Sequence, residues 1–244
     1  RITGCRQIQT KRDTQMPKET SGFENATAPV SDLVAGWIDR NSPEDTAVAA
    51  GGLERVEPFD DTEAGVVARA VDKRRNEFHT GRRLARVALA KLGCAPAPIP
   101  ADDSRVPIWP QGFVGTISHC RTLCIAHVGL QRDLVGIGID VETYRPLSGD
   151  LAARICRPDE NLGRSGDAAL LHFVAKEAFY KAYFPGARVF LDYHDVRIEP
   201  DDTLGTFQAS IVAKHRPSIA GRRTFTGRFA LLDGYIVAGL WITR

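Results

Sequence analysis

The chain contains 244 residues, of which 43% are hydrophobic and 25% are charged, and its formal net charge is +2 at pH 7. This composition excludes a chain that is disordered throughout and allows one large domain or two small ones. So small a net charge argues against nucleic acid as the partner. The sequence also has no stretch approaching the ~20 apolar residues of a membrane helix, so no membrane partner is predicted.

Five cysteines are present, an odd number, and none of them forms a CxxC pair. A disulfide framework is improbable in a chain of this size, and a reducing compartment fits the cysteine pattern better. We therefore predict a cytoplasmic location.

The part of the chain before the first predicted strand contains a leader, one helical stretch and a proline-rich segment. Residues 1–30 are polar and are predicted to form a flexible leader, with the first fifteen set aside as foreign or upstream sequence. An apolar stripe of helical period predicts a helical stretch from Thr62 to Leu92, divided into two helices at Thr80-Gly81. Five prolines then keep residues 94–112 extended and irregular.

The second half of the chain begins with three predicted strands, FVGTIS (113–118), LCIAHVGL (123–130) and LVGIGIDVE (134–142). A short helix near 149–156 and a longer one from Gly166 to Phe184 follow. The remainder is predicted to be antiparallel strands, with a hairpin turn at Asp233-Gly234. Helix, strands, helix and strands in succession predict an α+β fold.

Two carboxylates share one face of the third strand. Alternate side chains of a strand point the same way, so Asp140 and Glu142 lie beside Gly136 and Gly138, which are predicted to leave open space. A divalent cation would relieve the repulsion between the carboxylates, and magnesium prefers oxygen ligands. The alternative that the pair is simply hydrated at the end of a strand stays open.

The long helix carries charges within an apolar stretch, FVAKEAFYKAYF (173–184). Glu177 and Lys181 are four residues apart and share a helix face with apolar residues such as Val174. A functional interpretation places Glu177 beside the strand carboxylates and Lys181 at a phosphate of the substrate. A solvated surface ion pair is the alternative.

Basic and polar residues also point to an anion. Arg74 and Arg82 lie near the predicted helix break, where guanidinium groups suit a phosphate. Ser118 and His119 follow a strand, where a hydroxyl, an imidazole and turn amides can hold an anion together. A zinc site built from His119, Cys120, Cys124 and His127 is the less favoured alternative, because the spacing is not that of a finger or ribbon.

Four motifs occur in order along the chain: RRNEFHTGRRLAR, WPQGFVGTISHC, GIGIDVE and FVAKEAFYKA. Together they resemble the 4′-phosphopantetheinyl transferases of the enterobactin synthase component type, over about residues 55–200. The resemblance implies an enzyme that moves the phosphopantetheine arm of coenzyme A to a serine of an apo acyl or peptidyl carrier protein. The other product would be adenosine 3′,5′-bisphosphate.

The resemblance also implies a fold of two similar α+β halves related by a pseudo-twofold axis, with the active site in the cleft between them. We expect residues 31–139 to form the half that binds the coenzyme A phosphates and residues 140–244 to form the metal and catalytic half. Because two halves already form one cleft, a monomer is expected. A metal-dependent phosphohydrolase that binds coenzyme A or a nucleotide, without transfer to a carrier, is the alternative function.

Residue roles follow from matching the motifs. The implied magnesium ligands are Asp140, Glu142 and Glu177. Catalysis is assigned to Glu177, Lys181 and Asp140, and Glu177 would bind the metal, accept the proton or do both. Coenzyme A contacts are assigned to Arg74, Arg82, Ser118, His119, Lys176 and Lys181. Some relatives carry a basic residue after the proline-rich segment, where this chain has Ala101.

Overall fold

The structure is a computed structural model that describes residues 29–160 and 167–244. Residues 1–28 of the predicted leader therefore lie outside the described residues. The helices are α1 Val30–Asn41, α2 Asp61–Val66, α3 Asp72–Lys91, α4 Gly149–Ile155 and α5 Asp167–Ala187. The strands are β1 Thr46–Gly51, β2 Phe113–His119, β3 Cys124–Leu130, β4 Leu134–Thr143, β5 Val196–Asp201, β6 Thr206–Ile211, β7 Thr224–Leu232 and β8 Tyr235–Thr243.

These strands form two antiparallel sheets, with the orders β1-β3-β2 and β4-β8-β7-β6-β5. Helix α3 packs on β1 and β3 of the first sheet, and α5 packs on β4 and β8 of the second. The predicted α+β fold is confirmed, and two sheets that each carry one long helix agree with the predicted pair of similar halves. The second sheet begins at Leu134, before the predicted division at residue 140.

Strands β2 and β4 form the seam between the sheets. The hydroxyl Oγ1 of Thr116 accepts a hydrogen bond from the backbone N–H of Ile139 at 3.5 Å, and Oγ of Ser118 accepts one from Val141 at 3.3 Å. Side-chain hydroxyls of β2 therefore satisfy backbone amides of β4 that would otherwise be buried without a partner.

The two glycines of β4 correct one prediction. A Cβ on Gly136 would lie 2.0 Å from the carbonyl oxygen of Ala182, and one on Gly138 would lie 1.7 Å from that of Ala178. The predicted open space was therefore wrong, because the backbone of α5 fills it. Close approach of this backbone explains the glycines and brings Glu177 and Lys181 of α5 onto the face that carries Asp140.

Helix α3 corrects a second prediction, since it runs through Thr80-Gly81 without a break. The break lies earlier, between α2 and α3. A Cβ on Gly81 would lie 2.8 Å from Cγ2 of Ile117, so this glycine serves close packing of α3 on β2. Helix α1 and strand β1 were not predicted, whereas strands β2 to β4, helices α4 and α5 and the turn at Asp233-Gly234 are confirmed.

One buried residue of the first sheet is notable for its chemistry. His127 is fully buried on β3, and neither ring nitrogen has a hydrogen-bond partner among the described residues. Its ring meets that of Trp241 of β8 edge to face, with centroids 6.0 Å apart. Burial alone lowers the pKa of His127 to about 3, so the folded protein holds this imidazole neutral.

Two further observations concern the whole described chain. Cys94, Cys120, Cys124 and Cys156 are free thiols. None of the helices in the described ranges is both long and apolar enough to span a bilayer.

Candidate active site

Asp140 of β4 stands at the seam between the sheets and is buried. Its Oδ1 accepts hydrogen bonds from Lys181 Nζ at 2.6 Å and from Ser118 Oγ at 2.8 Å. The Lys181 ammonium lies 3.1 Å from Ser118 Oγ as well. The structure thus brings together one residue from β2, one from β4 and one from α5, all three of them predicted site residues.

The second oxygen of Asp140, Oδ2, is buried and has no hydrogen-bond partner among the described residues. Glu142 is its half-buried neighbour on the same face of the strand. Burial and, next, the negative charge of Asp140 raise the pKa of Glu142 to about 6. Asp140 thus offers an oxygen without a partner, and Glu142 beside it resists ionisation. A hard cation would bind both carboxylates and relieve the repulsion between them.

Glu177 has a different partner. Its Oε1 accepts a hydrogen bond of 2.5 Å from the hydroxyl of Tyr193, which lies outside the four motifs. Burial, followed by this bond to the carboxylate, raises the pKa of Tyr193. Within the described ranges, no three His, Cys, Asp or Glu side chains are grouped so as to hold a metal ion. The three predicted ligands are therefore not grouped closely enough in this structure to hold a metal ion, and Glu177 is bonded to Tyr193 instead.

A cavity of about 570 Å³ adjoins these residues and has a basic wall that includes Arg74, Arg82 and His119, with Glu177 and Lys181 at its other side. Nη1 of Arg74 lies 3.2 Å from Nε2 of His119. Burial lowers the pKa of His119, the charge of Glu77 opposes this shift in part, and the charge of Arg74 adds to it. The imidazole is therefore favoured as a neutral group that accepts from the guanidinium.

Arg82 forms the inner part of this basic wall. It is buried, donates from Nε to the carbonyl oxygen of Ile99 at 2.6 Å, and stacks over the ring of Phe78 at 4.2 Å. Burial lowers its pKa to about 10, which still leaves it charged at neutral pH. The predicted residues Arg74, Arg82 and His119 thus face one cavity. Ser118 is instead hydrogen-bonded to the backbone of β4 and to Asp140.

Sequence reasoning missed Arg105, which lines the same cavity. It lies in a loop whose ends pair at Ala101 and Pro107, and in which Oδ1 of Asp102 accepts from the backbone N–H of Val106 at 2.9 Å. Arg188, at the end of α5, forms an ion pair with Asp102. The Arg105 side chain makes no hydrogen bond or ion pair within the described part of the chain, so its charge is available to a ligand.

A second cavity, of about 600 Å³, lies on the other side of Glu177 and Tyr180, and these two residues line both cavities. Its walls are mainly apolar and include Phe173, Phe179 and Leu191. The sequence did not predict this cavity, because its walls combine residues of α4, of α5 and of the segment that leads into β5, which come together only in the fold. One charged and one apolar cavity therefore meet at a glutamate.

Lys176 lies away from the cluster at the seam. Its buried ammonium donates to Oε2 of Glu160 at 2.8 Å and to the carbonyl oxygen of Ile155 at 2.9 Å. The lysine borders the apolar cavity, not the basic one. In this structure the lysine closes a buried ion pair, and reaching a phosphate would require that pair to open.

Comparisons with known proteins agree along most of the chain. The family model for the 4′-phosphopantetheinyl transferase N-terminal domain matches residues 62–129, and that for the 4′-phosphopantetheinyl transferase superfamily matches residues 136–231. Svp, a 4′-phosphopantetheinyl transferase of Streptomyces mobaraensis, is 37% identical over 188 residues, 73% of this chain and 76% of its own.

Two other relatives are informative. PptT, a 4′-phosphopantetheinyl transferase of Mycobacterium tuberculosis, is 38% identical over 190 residues, which cover 73% of this chain and 83% of the relative. Enterobactin synthase component D of Escherichia coli is 36% identical over 121 residues, which cover 45% of this chain and 55% of the relative.

Proposed function

Because this chain belongs to the 4′-phosphopantetheinyl transferase family, we propose that it binds coenzyme A across both cavities and transfers the phosphopantetheine arm where they meet. The meeting of the cavities at Glu177 and Tyr180 carries this proposal. Coenzyme A has a charged nucleotide end and a less polar pantetheine arm, joined by a pyrophosphate. With each end in the cavity of matching character, the pyrophosphate comes to lie beside Glu177 and Lys181.

The basic cavity supplies the cations for the nucleotide end. Arg74 and Arg82 offer guanidinium groups, which bind phosphate oxygens in pairs of hydrogen bonds, and His119 adds a ring N–H. Arg105 brings a third guanidinium from the loop that follows Ala101. We assign this cluster to the phosphates of the adenosine end.

Asp140 and Glu142 are the residues that would hold magnesium. The unpartnered Oδ2 of Asp140 and the raised pKa of Glu142 support this assignment. Magnesium, when bound, would supply positive charge to the oxygens of the pyrophosphate. Lys181 already offsets one negative charge on Asp140, so it fixes the orientation of that carboxylate.

In the reaction, the serine oxygen of the carrier attacks the phosphorus that bears the pantetheine arm. A new P–O bond forms, the bond to the bridging oxygen breaks, and adenosine 3′,5′-bisphosphate leaves with that oxygen. We assign the proton of the serine hydroxyl to Glu177, which stands at the junction of the cavities. Lys181, on the same wall of the basic cavity, stabilises the charge that develops on the transferred phosphate.

We propose that the chain acts as a monomer, because α3, β2 and α5 of a single copy line the basic cavity. We also propose that it works in the cytoplasm, which its free buried thiols favour.

The test combines the protein with coenzyme A, magnesium and a panel of apo acyl and peptidyl carrier proteins. Mass spectrometry should show that a carrier gains the mass of one phosphopantetheine group. The Asp140→Asn variant should fold and give no transfer. Release of free phosphopantetheine without any carrier would instead support the phosphohydrolase, and no gain on any carrier would defeat the transferase.

A further inference from the structure

Glu177 is anchored by a residue that lies outside all four motifs. The Tyr193 hydroxyl donates to Oε1 of Glu177 at 2.5 Å, at the wall of the apolar cavity. The other oxygen, Oε2, accepts no hydrogen bond from the residues that the structure describes. One oxygen is thus fixed and the other is available where the two cavities meet.

The backbone of Tyr193 is held in place, because this residue begins the short 3-10 helix Tyr193–Asp195 that leads into β5. The side chain of Asp192 accepts from the backbone N–H of His194 at 3.1 Å, and that of Asp195 accepts from Asp192 at 3.1 Å. Arg216 then donates to Asp195 at 2.8 Å. The reciprocal bonds at this helix start fix the backbone from which the Tyr193 side chain extends towards Glu177.

Asp140 and Glu177 have different hydrogen-bond partners. Asp140 is bonded to Lys181 and Ser118, on the seam side of α5. Glu177 is instead drawn to Tyr193, towards the apolar cavity. A cation held by Asp140 and Glu142 would therefore leave Glu177 outside its donor set in this arrangement.

We propose that Tyr193 is a positioning residue, which fixes Glu177 at the junction of the cavities as the acceptor of the serine proton. This inference rests on the proposed function. A glutamate without such an anchor can swing between rotamers, and small misplacements of a catalytic group cost much of the rate. Since the bond is made to a charged group, its loss should lower kcat about ten- to a hundredfold.

The experiment is a double-mutant cycle on transfer to an apo carrier. Tyr193→Phe removes only the hydroxyl, and Glu177→Gln removes the carboxylate that would take up the serine proton, while leaving an amide oxygen to which Tyr193 can donate. We expect Tyr193→Phe to lower kcat about ten- to a hundredfold in the unsubstituted protein and to change KM for coenzyme A less than about twofold. In the Glu177→Gln background, the same substitution should change kcat less than about twofold, because the two residues act as one unit.

Tyr183→Phe is the matched control. Tyr183 lies on α5 as well, and its hydroxyl donates to the carbonyl oxygen of Pro217 at 3.1 Å in the core, away from both cavities. Its loss should lower the free energy of unfolding and leave kcat unchanged. A fall in kcat equal to that of Tyr193→Phe would show a general response to lost hydroxyls and overturn the inference.

A second readout needs no turnover. Manganese binding to the resting protein, followed by electron paramagnetic resonance, should be the same for Tyr193→Phe and the unsubstituted protein. Binding changed more than about threefold would tie Glu177 to the metal and overturn its assignment as a separate acceptor. Equal effects of Tyr193→Phe in both backgrounds of the cycle would overturn the role of Tyr193 but leave the proposed function standing. Absence of transfer by the unsubstituted protein would overturn the proposed function and this inference with it.

Discussion

The buried His127 predicts a loss of stability in mild acid that a single substitution should remove. In the unfolded chain its imidazole titrates near the ordinary pKa of 6.5, whereas burial lowers the pKa in the folded protein to about 3. Between these values the unfolded state binds a proton that the folded state does not. The stability contributed by the neutral imidazole is therefore complete above pH 6.5 and is lost as the pH falls towards 3.

The size of this loss of stability follows from the shift in the pKa of His127. Each pH unit well below 6.5 should cost the folded state about 1.4 kcal/mol, so the loss between pH 7.5 and 5.0 should be about 2 kcal/mol. Burial is the sole cause of the shift, and no neighbouring charge contributes to it. The cross-strand partners of His127, Val48 and Thr116, do not titrate.

The assay is equilibrium unfolding in urea at several pH values, for the unsubstituted protein and for His127→Leu. Other groups that titrate, including His79 and His119, are present in both proteins and cancel in the difference. The free energy of unfolding of His127→Leu, taken relative to the unsubstituted protein, should rise by about 2 kcal/mol from pH 7.5 to 5.0. A difference that stays constant over this range would refute the reasoning.

Three further outcomes are expected. Gly138→Ala should lower the free energy of unfolding by about 1–3 kcal/mol in urea, since its Cβ would overlap the backbone of α5, while Gly149→Ala, with open space, should not. If Arg105 contacts the 3′-phosphate, Arg105→Ala should raise KM for coenzyme A about tenfold and leave KM for 3′-dephospho-coenzyme A nearly unchanged. Equal effects on both KM values would exclude that contact. Lys176→Met should lower the free energy of unfolding by about 3–5 kcal/mol, because it leaves Glu160 buried without a counter-ion, and unchanged stability would contradict the buried pair.

Local sequence patterns were enough to predict several of the strands, the long helix α5 and one hairpin turn. Strand alternation located β2 to β4. The turn at Asp233-Gly234 was predicted because an Asp-Gly pair tolerates the positive φ of a tight hairpin turn, which both residues adopt. The length of α5 followed from its apolar stretch. These features depend on neighbours in sequence, so one sequence is sufficient to find them.

Features that depend on distant neighbours were misread or missed. Gly81 and Gly138 suggested a break and an open space, but both accommodate a packed neighbour, Ile117 in one case and the α5 backbone in the other. Tyr193 and Arg105 carry no local pattern that links them to the site. Asp140, Lys181 and Ser118 were identified through their motifs, but their mutual bonds exist only because the two sheets adjoin.

The hydroxyl seam between β2 and β4 has a mechanical consequence. A main-chain ladder would spread the connection between β2 and β4 over many equivalent bonds, whereas among the described residues these two strands are joined by the hydroxyls of Thr116 and Ser118. The Ser118 hydroxyl also donates to Asp140, so one oxygen bonds both the β4 backbone and the Asp140 carboxylate. Any twist of one sheet against the other is therefore transmitted to the carboxylate directly. The position of Ser118 against β4 therefore affects the orientation of the Asp140 carboxylate as well as the contact between the two sheets.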